Sequence, residues 1–404
     1  MLFISLGGML NSSYFLCCFN QFEHNTKGSD SSQNDEICLC LSIKNKDYFY
    51  MKKTFSFLTL SLLSITATTA SAVEIYKKEG TSVQINGQFR PMLANTEGQR
   101  TDLRDRGSRI DFVFGQKLGE DWKLIGQTRI IFNGQDSSGS NHSGFGDPRV
   151  GQLFLGVEQK SIGRLYFGRF ATNGDAVMFG NWQLGGGGRN PLRAAMEKGI
   201  HFRTIEFAGF QFGADYLLGS ATKKMNSKKN LQNGYGLALF YTNKLNDDWR
   251  IRFRAGYTRD NYDSYEFSAP DSTGVNKKWI GQNIHRDAWR VTAEVKYRDF
   301  EFAYNYGELK DLQYASYLDS KQVKEKRHFL AAKYFITPKF AGYSQFRYEK
   351  WGEQINQGYT LGVDYRPVKN FITFIEFARD RNIGDINVHN KYVNQYYTGF
   401  RLLF

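Results

Sequence analysis

Side chains that could do chemistry are present, but they are not grouped in a catalytic pattern. The five histidines downstream of residue 72 are scattered, at His142, His201, His285, His328 and His389. There is no HExxH and no GxSxG motif. All four cysteines lie within residues 1–50, without a metal-binding spacing, so residues 73–404 contain no thiol nucleophile. We therefore expect no enzyme, no catalytic residue, no metal site and no cofactor.

One local grouping resembles part of a hydrolase site. His142 lies close to Ser140 and Ser143. The surrounding segment is rich in Ser and Gly, which is typical of a solvated loop. The composition favours the loop over a catalytic group.

Arginines recur in alternation with apolar residues, which requires strands to position them. In Trp249-Arg-Ile-Arg-Phe-Arg-Ala255, three large apolar side chains face one way and three arginines face the other. The same period of two recurs in residues 83–90, 109–114, 289–297 and 359–366. This pattern predicts half-apolar β-strands.

The connections between these strands alternate in length. Short turns are predicted at 118–120, 160–163, 208–209, 244–247, 298–299, 337–338 and 367–370. Longer polar loops are predicted near 96–107, 134–147, 171–198, 220–233, 261–284, 310–324, 350–355 and 382–394. Seven turns and eight loops join sixteen strands. Trp122 and Trp249 each begin a strand after a turn, where an aromatic belt would lie.

The last strand favours a closed membrane barrel over a soluble β-sandwich. Tyr396, Thr398, Phe400, Leu402 and Phe404 share one face, which should continue the apolar face of Val83, Ile85 and Phe89. In a closed barrel the last strand pairs with the first and removes the sheet edge. Sixteen half-polar strands are hard to pack around one dry core. We predict an all-β fold, a sixteen-stranded antiparallel transmembrane barrel.

The chain has three predicted regions. Residues 51–72 have a cationic start, an apolar core and Ala70-Ser71-Ala72, which predicts a signal peptide cut before Val73. Residues 1–50 are interpreted as a spurious or extended leader, and residues 73–404 as the barrel. Residues 1–72 contain five Lys or Arg and five Asp or Glu, so the net charge of +13 belongs to residues 73–404. Export argues against a nucleic-acid partner for this basic chain.

Several short motifs, in order, resemble Gram-negative general porins. They are Glu74-Ile-Tyr-Lys-Lys-Glu-Gly80, Val83-Gln-Ile-Asn-Gly87, Gly107-Ser-Arg-Ile-Asp-Phe112, Leu165-Tyr-Phe-Gly-Arg169 and the terminal strand ending in Phe404. The branch most similar is that of the major outer-membrane porins of Haemophilus and its relatives. The resemblance spans residues 73–404. It implies a trimeric outer-membrane barrel with a water-filled pore, narrowed by an inward-folded third loop.

Strand alternation and the resemblance together predict which residues line the pore. The predicted constriction wall comprises Arg90, Arg109, Lys123, Arg129, Arg149 and Arg203. The predicted constriction loop, within residues 171–198, contributes Asp175, Met178, Phe179, Gly180, Trp182, Arg189 and Arg193. Family members often carry acidic residues where Met178 and Trp182 stand. The resemblance implies a general diffusion porin. Because the loop is poor in acids while the wall and the net charge are basic, we expect a mild preference for anions.

Two other functions remain open on the sequence. A substrate-specific channel would need a row of aromatic residues in the lumen, whereas most aromatics here have the outward parity. An adhesin or receptor barrel would use its long charged loops, near 261–284 and 310–324. Liposome swelling with graded sugars would separate general from specific transport.

The resemblance implies partners as well. We expect a homotrimer, with loop 134–147 as a candidate latch between subunits, in contact with outer-membrane lipids and lipopolysaccharide. Tyr396, Phe400, Leu402 and Phe404 form the predicted assembly signal, which the outer-membrane insertion machinery would read.

Overall fold

A computed structural model describes the chain at residues 73–132, 148–186, 190–223, 230–270, 273–281, 284–311, 323–383 and 392–404. These residues belong to the compact unit Ala67–Phe404. The predicted leader 1–50, the predicted signal peptide 51–72 and the candidate latch at 134–147 lie outside the described residues. In the described ranges, no helix is both long enough and apolar enough to cross a membrane.

Nearly all of the described chain is β-strand. The strands are β1 (Val73–Lys78), β2 (Thr81–Phe89), β3 (Pro91–Thr96), β4 (Asp102–Asp105), β5 (Ser108–Lys117), β6 (Trp122–Phe132), β7 (Pro148–Gln159), β8 (Gly163–Ala171), β9 (Ala195–Thr204), β10 (Phe210–Leu218), β11 (Leu231–Lys244), β12 (Trp249–Tyr262), β13 (Tyr265–Pro270), β14 (Asn276–Gly281), β15 (His285–Tyr297), β16 (Phe300–Asp311), β17 (Val323–Thr337), β18 (Phe340–Trp351), β19 (Gln354–Val368), β20 (Phe371–Ile383) and β21 (Tyr392–Leu403). A short 3₁₀ helix, Asn173–Val177, follows β8.

The main sheet is antiparallel and closes on itself. The last strand, β21, pairs with β3 from Gln395↔Thr96 to Gly399↔Met92 and reaches β2 at Phe89↔Leu402. Of the nineteen strands of this sheet, β2 with β3 and β4 with β5 each form one broken strand of the wall, and β1 pairs only with the edge of β2. The closed sheet is therefore a sixteen-stranded barrel. The predicted fold class is confirmed.

The closing seam differs in one detail from the sequence expectation. Of the three apolar residues proposed to continue the last strand, only Phe89 pairs with β21. Val83 and Ile85 instead pair with β1, opposite Tyr76 and Val73. The segment after residue 72 is therefore itself a strand, which covers the part of the β2 edge that β21 leaves open.

The predicted turn rhythm is present, with short turns at one end of the barrel and the longer connections at the other. The region 261–284, predicted as a loop, contains the hairpin β13–β14, paired from Tyr265↔Gly281 to Pro270↔Asn276. Its polar composition obscured a short strand pattern. The loop predicted near 350–355 is reduced to a tight turn at residues 352–353, because β18 and β19 extend toward it on both sides.

The outward face carries the apolar band. Large exposed hydrophobic residues recur at alternate positions of the strands, among them Leu93, Phe114, Leu155, Phe167, Leu237, Phe253, Phe302, Leu361 and Ile375. At the short-turn end, the rings of Trp249 and Tyr297 lie 4.4 Å apart and Trp122 is exposed. Aromatic rings at the edge of an apolar band match the belt of a transmembrane barrel.

Candidate pore constriction

The connection between β8 and β9 folds inside the barrel. Three of its segments pack against apolar residues of the inner wall. Val177 and Leu192 contact Ala238, Phe240, Ala288 and Leu309; Phe179 contacts Ala303, Phe329 and Ala331; Leu184 contacts Met92, Ala94, Phe374, Ala378 and Tyr397. The loop therefore follows the inner wall from β11 around to β3, and the open passage is left on the other side. This is the inward-folded third loop that the resemblance to general porins implies.

The tip of the loop is held by a buried carboxylate. Glu376, on β20, is 1% exposed and accepts hydrogen bonds from the backbone N–H groups of Leu184 and Gly185, the latter at 2.8 Å. It also accepts from the Tyr343 hydroxyl at 2.5 Å. From β21, Arg401 donates to the carbonyl of Leu184 at 3.1 Å. The wall therefore supplies hydrogen-bond partners for both the backbone N–H groups and the backbone carbonyl of the tip.

The middle of the loop is fixed at two neighbouring residues. Phe179 lies beneath the guanidinium groups of Arg252 and Arg254, at 4.5 and 4.0 Å from its ring centroid. Its backbone exchanges two hydrogen bonds of 3.1 Å with the Asn305 amide. Gly180 has φ +70°, and a Cβ there would lie 2.7 Å from the Cβ of Ala303. Glycine is required because both backbone conformation and space exclude a larger residue.

The root of the loop involves the predicted wall residue Arg203. Its Nε donates to the Asn173 side-chain oxygen at 2.8 Å, and its guanidinium lies 4.1 Å from the Phe240 ring centroid. Asn173 is fully buried, and its backbone N–H donates to Asp215 at 2.7 Å. Arg203 therefore braces the loop at its entry into the barrel.

A group of arginines lies close together beside the tip of the loop. Arg90 lies within electrostatic reach of Arg106, Arg109 and Arg401. The buried Gln88 amide, with its oxygen turned toward Arg109, accepts from that guanidinium at 2.7 Å. In the described ranges, none of the four arginines forms an ion pair with a carboxylate. We call Arg90, Arg106, Arg109 and Arg401 the arginine cluster.

Two groups moderate the positive charge near the cluster. Arg129 forms a bidentate ion pair with Asp111, with Nε 2.5 Å and Nη2 2.9 Å from the carboxylate oxygens. Asp175, on the 3₁₀ helix of the loop, is exposed to the lumen and interacts with Arg109 and Arg129. The surrounding wall raises the pKa of the Asp175 carboxyl by removing part of its hydration, and the two arginines act against that rise.

The other predicted wall residues lie at different levels. Arg149 is opposite Ile131, which is opposite Arg109, so all three share one face. A bulge at Gly151 keeps Arg149 on the lumen side although simple alternation from Gln152 would turn it outward. Lys123 lies at the short-turn end of β6, opposite Lys117.

The remaining predicted loop residues lie against the wall. Met178 and Trp182 are partly buried beside the Phe179 cluster. Arg193 lies 3.8 Å from the buried Asp260, which offsets its charge. Arg189 lies outside the described residues. The sequence prediction missed Arg106, Arg401 and Glu376. Strand alternation places Arg401 and Glu376 on the lumen face of the final strands, and this is the one sequence pattern that indicates them.

The terminal strand presents the predicted assembly residues outward. Tyr396 and Phe400 are exposed on the apolar face. Phe404 exchanges backbone hydrogen bonds of 2.8 and 3.1 Å with Gly87, and its ring lies over that glycine. The Phe404 and Phe89 ring centroids are 5.5 Å apart. The end of the chain is thus built into the barrel seam.

The fold and the lumen can be compared with known proteins. The model of the family "Gram-negative porin" matches residues 59–385. The chain belongs to the Gram-negative porin family. This porin is 26% identical over 354 residues to the major outer membrane protein of Pasteurella multocida strain Pm70, covering 85% of this chain and 98% of the relative. It is accordingly a channel protein of the outer membrane.

Solved structures share the fold. The anion-selective porin from Comamonas acidovorans matches with a TM-score of 0.60 at 15% identity, covering 80% of this porin and 100% of that chain. OmpT of Vibrio cholerae, in a trimer form, matches with a TM-score of 0.59 at 17% identity over 81% and 100% of the two chains. OmpF of Salmonella typhi, solved with daunomycin, gives 0.56 at 15% identity over 82% and 100%.

Proposed function

We propose that this porin is a general diffusion channel for small hydrophilic solutes and ions, with a preference for anions. The observation that carries the preference is the arginine cluster. Its four guanidinium groups lie close together and form no ion pair with a carboxylate in the described ranges, whereas the loop offers Asp175 as its early carboxylate. Charge close to a narrow passage attracts counter-ions and repels ions of the same sign.

The test is the reversal potential of single channels in a potassium chloride gradient. We expect the sign that indicates chloride preference, and a smaller value for the double variant Arg90→Gln with Arg109→Gln. The matched control is Arg298→Gln with Lys339→Gln, which removes two charges from exposed turns. A cation preference in the unaltered porin would refute the proposal.

The absence of substrate selection is supported by where the aromatic rings lie. Phe253, Phe302 and Tyr304 are exposed on the outward face. Phe179 and Phe329, on the lumen side, are buried under or beside the loop. Liposome swelling rates should therefore fall smoothly with sugar size. One sugar that enters far faster than its size allows would instead favour a substrate-specific channel.

We further propose a homotrimer without enzymatic activity, in contact with outer-membrane lipids and lipopolysaccharide and assembled by the insertion machinery. Exposed Leu93, Phe114, Leu153 and Phe167 on the early strands offer an apolar surface for a neighbouring subunit. OmpT of Vibrio cholerae is described in a trimer form. Mass measurement of the detergent-solubilised porin tests the trimer, and a monomeric mass would contradict it.

A further inference from the structure

The short-turn end of the barrel contains a recess that no residue of the arginine cluster lines. Its volume is about 470 Å³. It lies among the turns β5–β6, β7–β8 and β9–β10. Five cationic and three acidic side chains line it; the cationic ones are Lys117, Lys123, Lys160, Arg164 and Arg203. Four of these five belong to one structural pattern.

The pattern is a row of directly opposed residues across five strands. Lys117 is opposite Lys123, Lys123 is opposite Glu158, Glu158 is opposite Arg164, and Arg164 is opposite Arg203. Opposed residues of an antiparallel sheet point to the same face. Arg203 reaches the loop root inside the barrel, so the whole row faces the lumen. We call these five residues the cationic row.

The charges of the cationic row are only partly balanced. Its single carboxylate, Glu158, accepts a hydrogen bond from the Tyr166 hydroxyl. In the described part of the chain, neither Lys117, Lys123 nor Arg164 forms an ion pair with a carboxylate. The Nε of Arg164 is buried without a hydrogen-bond partner. A small anion with several oxygens would supply the missing acceptors.

Local packing aims one of the lysines along the wall. The side chain of Lys123 lies across Gly115 of β5, and a Cβ at that glycine would be 2.7 Å from Lys123 Cε. The lysine can therefore lie flat because its neighbour has no side chain. Its ammonium group therefore lies along the inner wall beside Gly115.

We propose that the cationic row is a binding site for compact polyanions, solutes that carry two or more adjacent phosphate-type groups. Strands are about 4.8 Å apart, so neighbouring cations of the row can contact two linked anionic groups at once, whereas chloride contacts one. From Arg109 to Lys117 is eight residues along β5, roughly 26 Å at about 3.3 Å per residue. The site is therefore separate from the arginine cluster, although it rests on the proposed passage of anions.

The experiment is block of single-channel current by inorganic tripolyphosphate. The test variant is Lys123→Gln with Arg164→Gln. The matched control is Lys339→Gln with Lys369→Gln, which removes two exposed charges at the same end of the barrel but outside the row. Ser220→Cys, in the loop β10–β11, reports the orientation of each inserted channel by its reaction with an impermeant thiol reagent, because residues 73–404 contain no other cysteine.

We expect the unaltered porin and the control to be blocked from the short-turn side at lower tripolyphosphate concentration than from the loop side. In the test variant the blocking concentration should rise roughly tenfold, since charge-assisted contacts are lost. Equal block in all three proteins, an equal loss in the control, or no block of the unaltered porin would overturn the proposal. Chloride preference is read in the same channels before tripolyphosphate is added, so failure of the proposed function is seen separately.

Discussion

Replacing Glu376 by Gln should release the tip of the constriction loop. In the native barrel the carboxylate accepts from two backbone N–H groups and the Tyr343 hydroxyl. A glutamine side chain keeps one oxygen as a hydrogen-bond acceptor, but its NH₂ group replaces the second oxygen and faces a donor that this oxygen had accepted from. The change loses at least one hydrogen bond to a charged group, about 1.5–3 kcal/mol, and leaves a buried donor unpaired, about 1–3 kcal/mol. A total near 3 kcal/mol raises the detached fraction about 100-fold.

The detached state can be measured chemically. Leu184 is 8% exposed and docks in the wall cluster, so Leu184→Cys should react slowly with an impermeant thiol reagent while the tip is bound. With Glu376→Gln in the same chain, the rate should rise toward 100-fold and open-channel current noise should increase. The control, Glu301→Gln, removes a buried wall carboxylate whose ion pairs are with Arg250 and Lys296. A labelling rate within about threefold of the parent would refute the reasoning.

Three further outcomes follow from the constriction and the seam. The preference for anions should increase as the pH falls, because the pKa of the Asp175 carboxyl is raised and this carboxyl loses its negative charge before an ordinary one does. The variant Asp175→Asn should show the higher preference at every pH. If the variant keeps the pH dependence, another group causes that dependence. Gly180→Val should displace the loop and alter single-channel conductance, since φ +70° and the nearby Ala303 exclude the side chain; an unchanged conductance would contradict this. Deletion of Phe404 should reduce the yield of assembled barrel more than the conductance of the channels that do assemble, measured by heat-modifiable gel mobility and single-channel recording; normal yield would count against the seam argument.

The barrel could be predicted from sequence because its signal is local. Strand alternation has a period of two, and a slip of one residue would turn every apolar side chain into the lumen. The pattern in Trp249–Ala255 therefore predicts both the strand and the direction of its arginines. Parity likewise predicts that Arg109 and Arg129 share one face, where Arg109 contacts Gln88 and Arg129 pairs with Asp111.

The sequence predicts strands less well where the alternation of apolar and polar residues is interrupted. The β13–β14 hairpin lies inside a polar segment, and β1 is short and charged. Arg149 keeps the lumen side through a bulge that alternation alone does not reveal. In each case pairing with a neighbouring strand, rather than intrinsic preference, decides the structure.

The path of the loop depends on contacts that are distant in sequence. Leu184 and Glu376 are 192 residues apart, so neither residue signals the other. The wall sequence does indicate where the loop packs. Small apolar residues occupy lumen-facing positions where a water-filled pore ordinarily has polar ones. They are Ala238, Ala288, Ala303, Ala331 and Ala378. A run of such positions on successive strands indicates a surface that another part of the chain covers.

The packing of the constriction loop on the inner wall also determines which arginines can act on permeating ions. Arg252 is engaged by Glu294 and lies over Phe179, Arg254 donates to the loop carbonyl of Ala176, and Arg290 is 3% exposed. These charges are taken up in holding the loop. Arg90 and Arg109 form no ion pair with a carboxylate among the described residues, so their charge is not taken up in this way. We therefore expect the charge selectivity of this porin to depend less on its net charge of +13 than on where the loop lies, so loosening the tip at Glu376 should change selectivity as well as current noise.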